Sequence, residues 1–100
     1  MIRHIVMWRF KDSAEGNSKA ENIKIATESL YALIGRIDEI KKMEIGADVS
    51  HTAASMDMVL LTEFDDLDTL HAYAVHPEHL AVAEFMKKVT ESRVVLDCEL

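Results

Sequence analysis

Polar and apolar positions in this chain alternate, then recur at helical spacing, then alternate again, and that succession predicts the architecture. Ile2–Phe10 places Ile2, His4, Val6, Trp8 and Phe10 on one face and Arg3, Ile5, Met7 and Arg9 on the other. Ile5 and Met7 make the second face apolar in its middle, and a strand apolar on both faces is normally covered on both. Ser18-Lys19-Ala20-Glu21 has capping-box spacing and opens a helix. Ile23, Ala26, Leu30, Leu33, Ile34 and Ile37 follow as its apolar stripe, and Gly35 ends or loosens it. Lys42–Val49 reads as a short strand with Gly46 as a bulge, and Ser50–Ser55 as a loop. Met56–Phe64 reads as a central strand, with Met56, Met58, Leu60 and Phe64 opposite Val59 and Leu61. Asp65-Asp66-Leu67-Asp68 starts an acidic helix that carries Leu67, Leu70, Tyr73 and Ala74 toward Pro77. That proline has no amide hydrogen and disfavours helical backbone in the residue before it, so one helix stops and another opens there. The new helix runs to about Thr90, with Leu80, Val82, Ala83, Phe85, Met86 and Val89 apolar. Arg93–Leu100 closes the chain as a strand, Val94, Leu96, Cys98 and Leu100 opposite Val95.

The order β-α-β-β-α-α-β fills one domain, residues 1–100. Putting the first and third strands in the middle gives an α+β, ferredoxin-like subunit with an antiparallel sheet and its helices on one side. The other sheet face is expected to carry Ile5, Met7, Val59, Leu61 and Val95. Proteins rarely leave such a patch in water. A homodimer that presses two sheets together into an α/β barrel covers it. Lys41-Lys42 and Arg93 are placed to blunt strand edges or to rim that interface.

Composition agrees with a folded domain: 49% of residues are hydrophobic and 29% charged, with three glycines and one proline. So much apolar surface on 100 residues also favours a covering partner. A net charge of −7, from 18 acids against 11 bases, argues against nucleic acid and anionic membrane as partners. One cysteine, Cys98, permits no internal disulfide and no multi-cysteine metal site, and it reads as an inert thiol. Arg3, His4 and Arg9 interrupt the apolar start and no cleavage site follows, so a cytoplasmic protein without a signal peptide is expected. No apolar run approaches spanning length. Glycine-rich phosphate loops, a serine-hydrolase elbow and paired carboxylates are not visible.

The candidate chemistry gathers at Tyr73-Ala-Val-His76-Pro77-Glu78-His79, two imidazoles and a phenol at the corner between helices. His79 precedes Val82 and Met86 by three and seven residues and so shares their inward stripe. An imidazole beside an apolar cavity stays neutral and serves as a base near pH 7. Tyr73 then orients it or polarises a carbonyl. The competing reading is a buried histidine, hydrogen-bonded to a carbonyl or to Tyr73, that only holds the corner together. His4, Val6 and Trp8 face the helices from the first strand; with His76, Val82 and Met86 they are the candidate ligand contacts. His4 also reads as a satisfied core polar residue, and His76 as a cap of the new helix. Spacing alone does not assemble a zinc or iron site from His4, His76 and His79, so neither metal nor cofactor is predicted. Asp57, Glu63, Asp65, Asp66 and Asp68 read as a solvated acidic rim. Whether Trp8 and Phe85 leave a cavity open is the feature that separates a small-molecule site from a merely structural corner.

Met1-Ile-Arg-His4-Ile-Val-Met-Trp8-Arg-Phe-Lys11, Glu44-Ile-Gly46, Met58-Val-Leu-Leu-Thr-Glu-Phe64, Tyr73-x-x-His76-Pro77-x-His79 and Val95-Leu-Asp97 occur in an order that resembles the stress-responsive A/B barrel family. The resemblance spans nearly the whole chain and implies a ferredoxin-like subunit that closes a barrel with a second copy. Plant polyketide cyclases of this fold use a histidine and a tyrosine for an aldol-type ring closure; the motif puts these on His79 and Tyr73, and the first-strand cavity histidine on His4. The chain departs from those cyclases at Trp8, where they carry a smaller apolar residue, and at Ala20 and Ile23 on the first helix, where they carry aromatic rings. These departures count against a ligand of polyketide size; a small apolar, carbonyl-containing ligand between helices and sheet is expected, with a non-catalytic dimeric binding or stress-protection module as the alternative. Some plant members hold magnesium on backbone carbonyls after the first helix, near Ile34–Ile40, a site that leaves no side-chain signature.

Overall fold

A computed structural model describes residues 1–100. The elements are β1 (Ile2–Phe10), a two-residue hairpin β2 (Ser13–Ala14) and β3 (Asn17–Ser18), α1 (Lys19–Tyr31), β4 (Lys42–Ala47), β5 (Met58–Phe64), α2 (Leu67–Val75), α3 (Pro77–Val89) and β6 (Thr90–Glu99). The main sheet is antiparallel throughout, in the order β4-β5-β1-β6, so the first strand is indeed central. All three helices lie on one side of it, giving the ferredoxin-like α+β arrangement. Val6, Trp8, Phe10, Leu60 and Phe64 from the sheet meet Ala26, Leu30, Leu33, Met86 and Val89 from the helical side in one core. No helix is long and apolar enough to cross a membrane.

Local chemistry sets the helix ends. At α1 the Glu21 amide donates to Ser18 Oγ (3.2 Å) while the Glu21 carboxylate accepts from the Ser18 amide (3.1 Å), the capping box its spacing predicted. Asp66 and Thr69 repeat the device at α2. His76, held extended by the proline after it, ends α2 and caps α3, with Pro77 in the first turn.

Several boundaries and faces differ from the sequence reading. After Tyr31 the chain tightens into a 3₁₀ turn, Ala32–Gly35, which changes the helical phase and turns Ile34 outward while Leu33 and Ile37 remain buried. The hairpin at 13–18 has no hydrophobic signal; Glu15 (φ 53°) and Gly16 (φ 78°) form its left-handed turn. Buried Asn22 fastens it to α1 by donating to the Ala14 carbonyl (3.0 Å). Gly46 is not a bulge: it pairs in register with Val59, whose Cγ1 would lie 3.3 Å from any Cβ there, so close approach explains the glycine. The bulge lies instead where β6 meets the end of β1. Arg9 pairs with Ser92 but Phe10 with Thr90, leaving Glu91 as an extra residue. Asp57 is no solvated rim residue either: it accepts from the Phe10 amide (2.7 Å) and pairs with Lys19 (3.3 Å), tying the end of β1 to α1.

The most consequential difference concerns β6. Val6 pairs with Val95 and Ile5 with Leu96, so Val95 belongs to the helical face, along with Arg93 and Asp97. Val94, Leu96 and Cys98 join Ile5, Met7, Val59 and Leu61 on the other face. Neither face of β6 is well covered within one chain; Val94 and Leu96 are 42% and 59% exposed.

Candidate functional site

A cavity of about 410 Å³ opens between the sheet and the helices. β1 supplies His4, Val6 and Trp8, β5 supplies Leu60, α1 supplies Leu30, and α3 supplies His79, Val82, Ala83 and Met86; Tyr73 of α2 stands at the inner end. Trp8 is buried against this space without filling it, and Phe85 turns instead into the groove between α1 and α3. The α1 residue that reaches the cavity is Leu30, not Ala20 or Ile23. Lys87 and the run Thr90–Arg93 form the mouth.

Tyr73 sits within a cluster of rings. Its centroid lies 4.4 Å from His79, 5.0 Å from Phe64 and 6.4 Å from His4. The side chain is 1% exposed, and its hydroxyl has no protein hydrogen-bond partner. Burial pushes the phenol up to about 12, partly opposed by the Arg93 charge. It therefore holds its proton throughout the neutral range.

His79 is half-buried. Its Nδ1 bonds to the Ala74 carbonyl at 3.0 Å, and since a carbonyl only accepts, Nδ1 is the protonated nitrogen and Nε2 carries the lone pair. Burial holds the imidazole below the usual 6.5; the neighbouring His4, Arg93 and His76 charges add to this, and the Ala74 carbonyl works against it. His79 is thus a neutral base at pH 7.

His4, 8% exposed, donates from Nδ1 to the Asp97 carboxylate, its cross-strand partner in the sheet register. In the sequence Asp97 enters only through the family resemblance, with no role at the site. Its signal is a lone carboxylate inside the apolar run Val94–Cys98, which meets His4 once β6 is placed in register with β1.

His76 does not line the cavity. Its Nδ1 accepts from the Glu78 amide at 3.1 Å, because a residue ahead of proline at a helix start is well placed to cap that helix. Of the residues singled out as a site, the structure therefore brings His4, Val6, Trp8, Tyr73, His79, Val82 and Met86 to one cavity and leaves His76 outside it.

The Tyr73 shift has a consequence for stability. A phenol at about 12 in the folded chain and 10.0 in the unfolded one gives stabilisation that is complete below pH 10 and lost as pH rises toward 12. Two pH units of difference amount to about 2–3 kcal/mol. Denaturant melts of the wild type should fall more steeply across that window than those of Tyr73→Phe. Parallel curves would show that the hydroxyl titrates as it does in solution.

An antiparallel sheet backed by three helices, with a histidine-tyrosine-histidine cluster beside an apolar cavity, defines a ferredoxin-like α+β protein. The chain belongs to the stress responsive A/B barrel domain family, whose profile matches residues 2–100. The stress-response A/B barrel domain-containing protein DABB1 of Arabidopsis thaliana is 22% identical over 100 residues, covering 97% of this chain. The chain spans about half the length of that curated relative, 46%. A dimeric protein of unknown function and ferredoxin-like fold from Bacteroides fragilis is 30% identical, with a TM-score of 0.82 over 99% of this chain and 95% of its own. A hydroxynitrile lyase from Passiflora edulis is 22% identical, with a TM-score of 0.81 over 97% of this chain and 90% of its own, a likeness of fold.

Proposed function

We propose that this chain is a homodimer whose cavity binds a small apolar carbonyl compound and moves a proton next to the carbonyl. One observation carries the chemistry: the Ala74 carbonyl occupies His79 Nδ1, leaving a neutral, basic Nε2 beside a buried phenol with no protein partner. In the proposed step the C–H bond alpha to the ligand carbonyl breaks and its proton passes to His79 Nε2. The electron pair moves to the carbonyl oxygen, where the Tyr73 hydroxyl donates a hydrogen bond to the forming enolate. Return of the proton to another carbon gives isomerisation, and attack of the enolate on a second carbonyl gives cyclisation. The Asp97 carboxylate fixes the orientation of His4 on the facing wall. The cavity volume of about 410 Å³ falls within the ~300–1,000 Å³ of ordinary small-molecule sites. That a hydroxynitrile lyase shares the fold shows that such a scaffold can carry catalysis in another protein.

Dimerisation is supported by the apolar face formed by Ile5, Met7, Val59, Leu61, Val94 and Leu96, which the helices do not cover. The relative from Bacteroides fragilis is itself dimeric.

The same His79–Ala74 bond favours a second reading, a non-catalytic dimeric binding or stress-protection module. Ala74 lies in the last turn of α2, where carbonyls lack helical partners, so His79 also braces the corner. A histidine pH titration by NMR, repeated on Tyr73→Phe, separates the two. For an acid–base pair His79 should titrate below 6.5 and shift when the hydroxyl is removed. A His79 resonance that stays silent through the acid range while the fold persists would leave only the structural corner.

A further inference from the structure

We propose that Arg93 makes the cavity selective for small oxo acids, its guanidinium taking the ligand carboxylate at the mouth while the aliphatic body lies against Trp8, Leu30 and Met86. This rests on the carbonyl-binding reading above and names its substrate class.

Arg93 pairs across the sheet with Trp8, so it stands on the helical face and borders the cavity. The Glu91 bulge explains why four consecutive residues, Thr90–Arg93, reach the mouth where a regular strand would present alternate ones. Arg3, Arg9 and Arg36 each bond to a carboxylate or a carbonyl. The Arg93 guanidinium alone among the arginines has no ion pair or hydrogen bond, although the chain carries 18 acids. The other charged residues at the mouth are Lys87, which lies 3.5 Å from Glu84, and Glu91. Lys87 and Glu84 pair with one another, so Arg93 is the cation at the opening without an ion-pair partner. Below the mouth the walls are apolar, down to Tyr73, His79 and His4.

The cavity thus has an unpaired guanidinium at its mouth, apolar walls and a buried phenol at its inner end. A ligand that satisfies all three has a carboxylate, a short hydrocarbon body and a carbonyl. Arginine suits the first group because its planar fork meets a carboxylate with two charge-assisted hydrogen bonds. The Arg93 charge is felt at both Tyr73 and His79, which places the carboxylate anchor within electrostatic reach of the reacting groups.

The test uses 2-oxooctanoate and 2-octanone, which share a carbonyl and an aliphatic chain but differ in the carboxylate. Each is titrated into the wild type, Arg93→Gln and Arg93→Lys, following backbone amides and the His79 ring by NMR. The oxo acid should bind the wild type roughly tenfold or more tightly than the ketone. Arg93→Gln should erase that difference without changing ketone affinity, Arg93→Lys should restore part of it, and added salt should narrow it. If the ketone shifts the cavity signals and the oxo acid binds no tighter, selectivity by Arg93 is overturned while carbonyl binding stands. Equal weakening of both ligands by Arg93→Gln overturns it too, since the side chain then acts on cavity shape. If neither compound moves the cavity signals, this inference and the carbonyl-binding reading fall together.

Discussion

Tyr73→Phe is expected to slow proton abstraction alpha to a ligand carbonyl by roughly 10²–10⁴-fold, the range for losing a positioned acid–base group, without cost to the fold. The hydroxyl has no protein partner and lies in a side chain that is 1% exposed, so removing it relieves a desolvated polar group. Stability at pH 7 should be unchanged or higher by about 1 kcal/mol, which corresponds to ~4–8 °C in Tm for a domain of this size. His79→Ala should abolish the same activity and cost little stability beyond the brace to Ala74. The readout is hydrogen–deuterium exchange at the alpha carbon of 2-oxooctanoate in heavy water, followed by NMR. In the wild type the rate should rise with pH through a value below 6.5, as His79 loses its proton. It should then stay level until the phenol ionises near 12. Exchange no faster than in buffer would remove the catalytic reading, and a Tyr73→Phe protein that exchanges at the wild-type rate would remove Tyr73 from it.

Leu61→Asp should convert the dimer to monomer or aggregate. Leu61 pairs with Ile5 and Glu44 on the face away from the helices, next to Met7 and Val59. Against a second sheet, a carboxylate there is buried without a partner, a defect worth about 3–5 kcal/mol. Two-fold symmetry presents the same defect twice. The dissociation constant should therefore rise by more than roughly 10³-fold, as read by sedimentation equilibrium, with Val59→Asp behaving alike. A Leu61→Asp protein that sediments as the wild type does would place the contact elsewhere.

The elements themselves were legible because each rests on local chemistry. The capping box at Ser18–Glu21, the acidic start before Leu67 and the missing amide of Pro77 act within a few residues. Strands β1 and β5 announced themselves as central by being apolar on both sides. That same property hid the orientation of β6. When a sheet is apolar on both faces, alternation separates two sets of residues but does not say which set meets the helices. Alternation thus points Val95 to the outer face and gives Arg93 and Asp97 no place at the cavity. Ile34 went astray for a related reason, since the switch to a 3₁₀ turn shifts the helical phase without an apolar signal.

From its sequence this chain had its element order, its ferredoxin-like class and the Tyr73–His79 corner, because hydrophobic periodicity, capping and proline geometry are properties of short segments. Tertiary structure decided that a cavity survives beside Trp8, that His76 spends its nitrogen on a helix cap, and that Asp97 and Arg93 face His4 and Trp8. Those are relations between residues far apart in the chain, and they follow from strand register and from how bulky side chains divide the enclosed space.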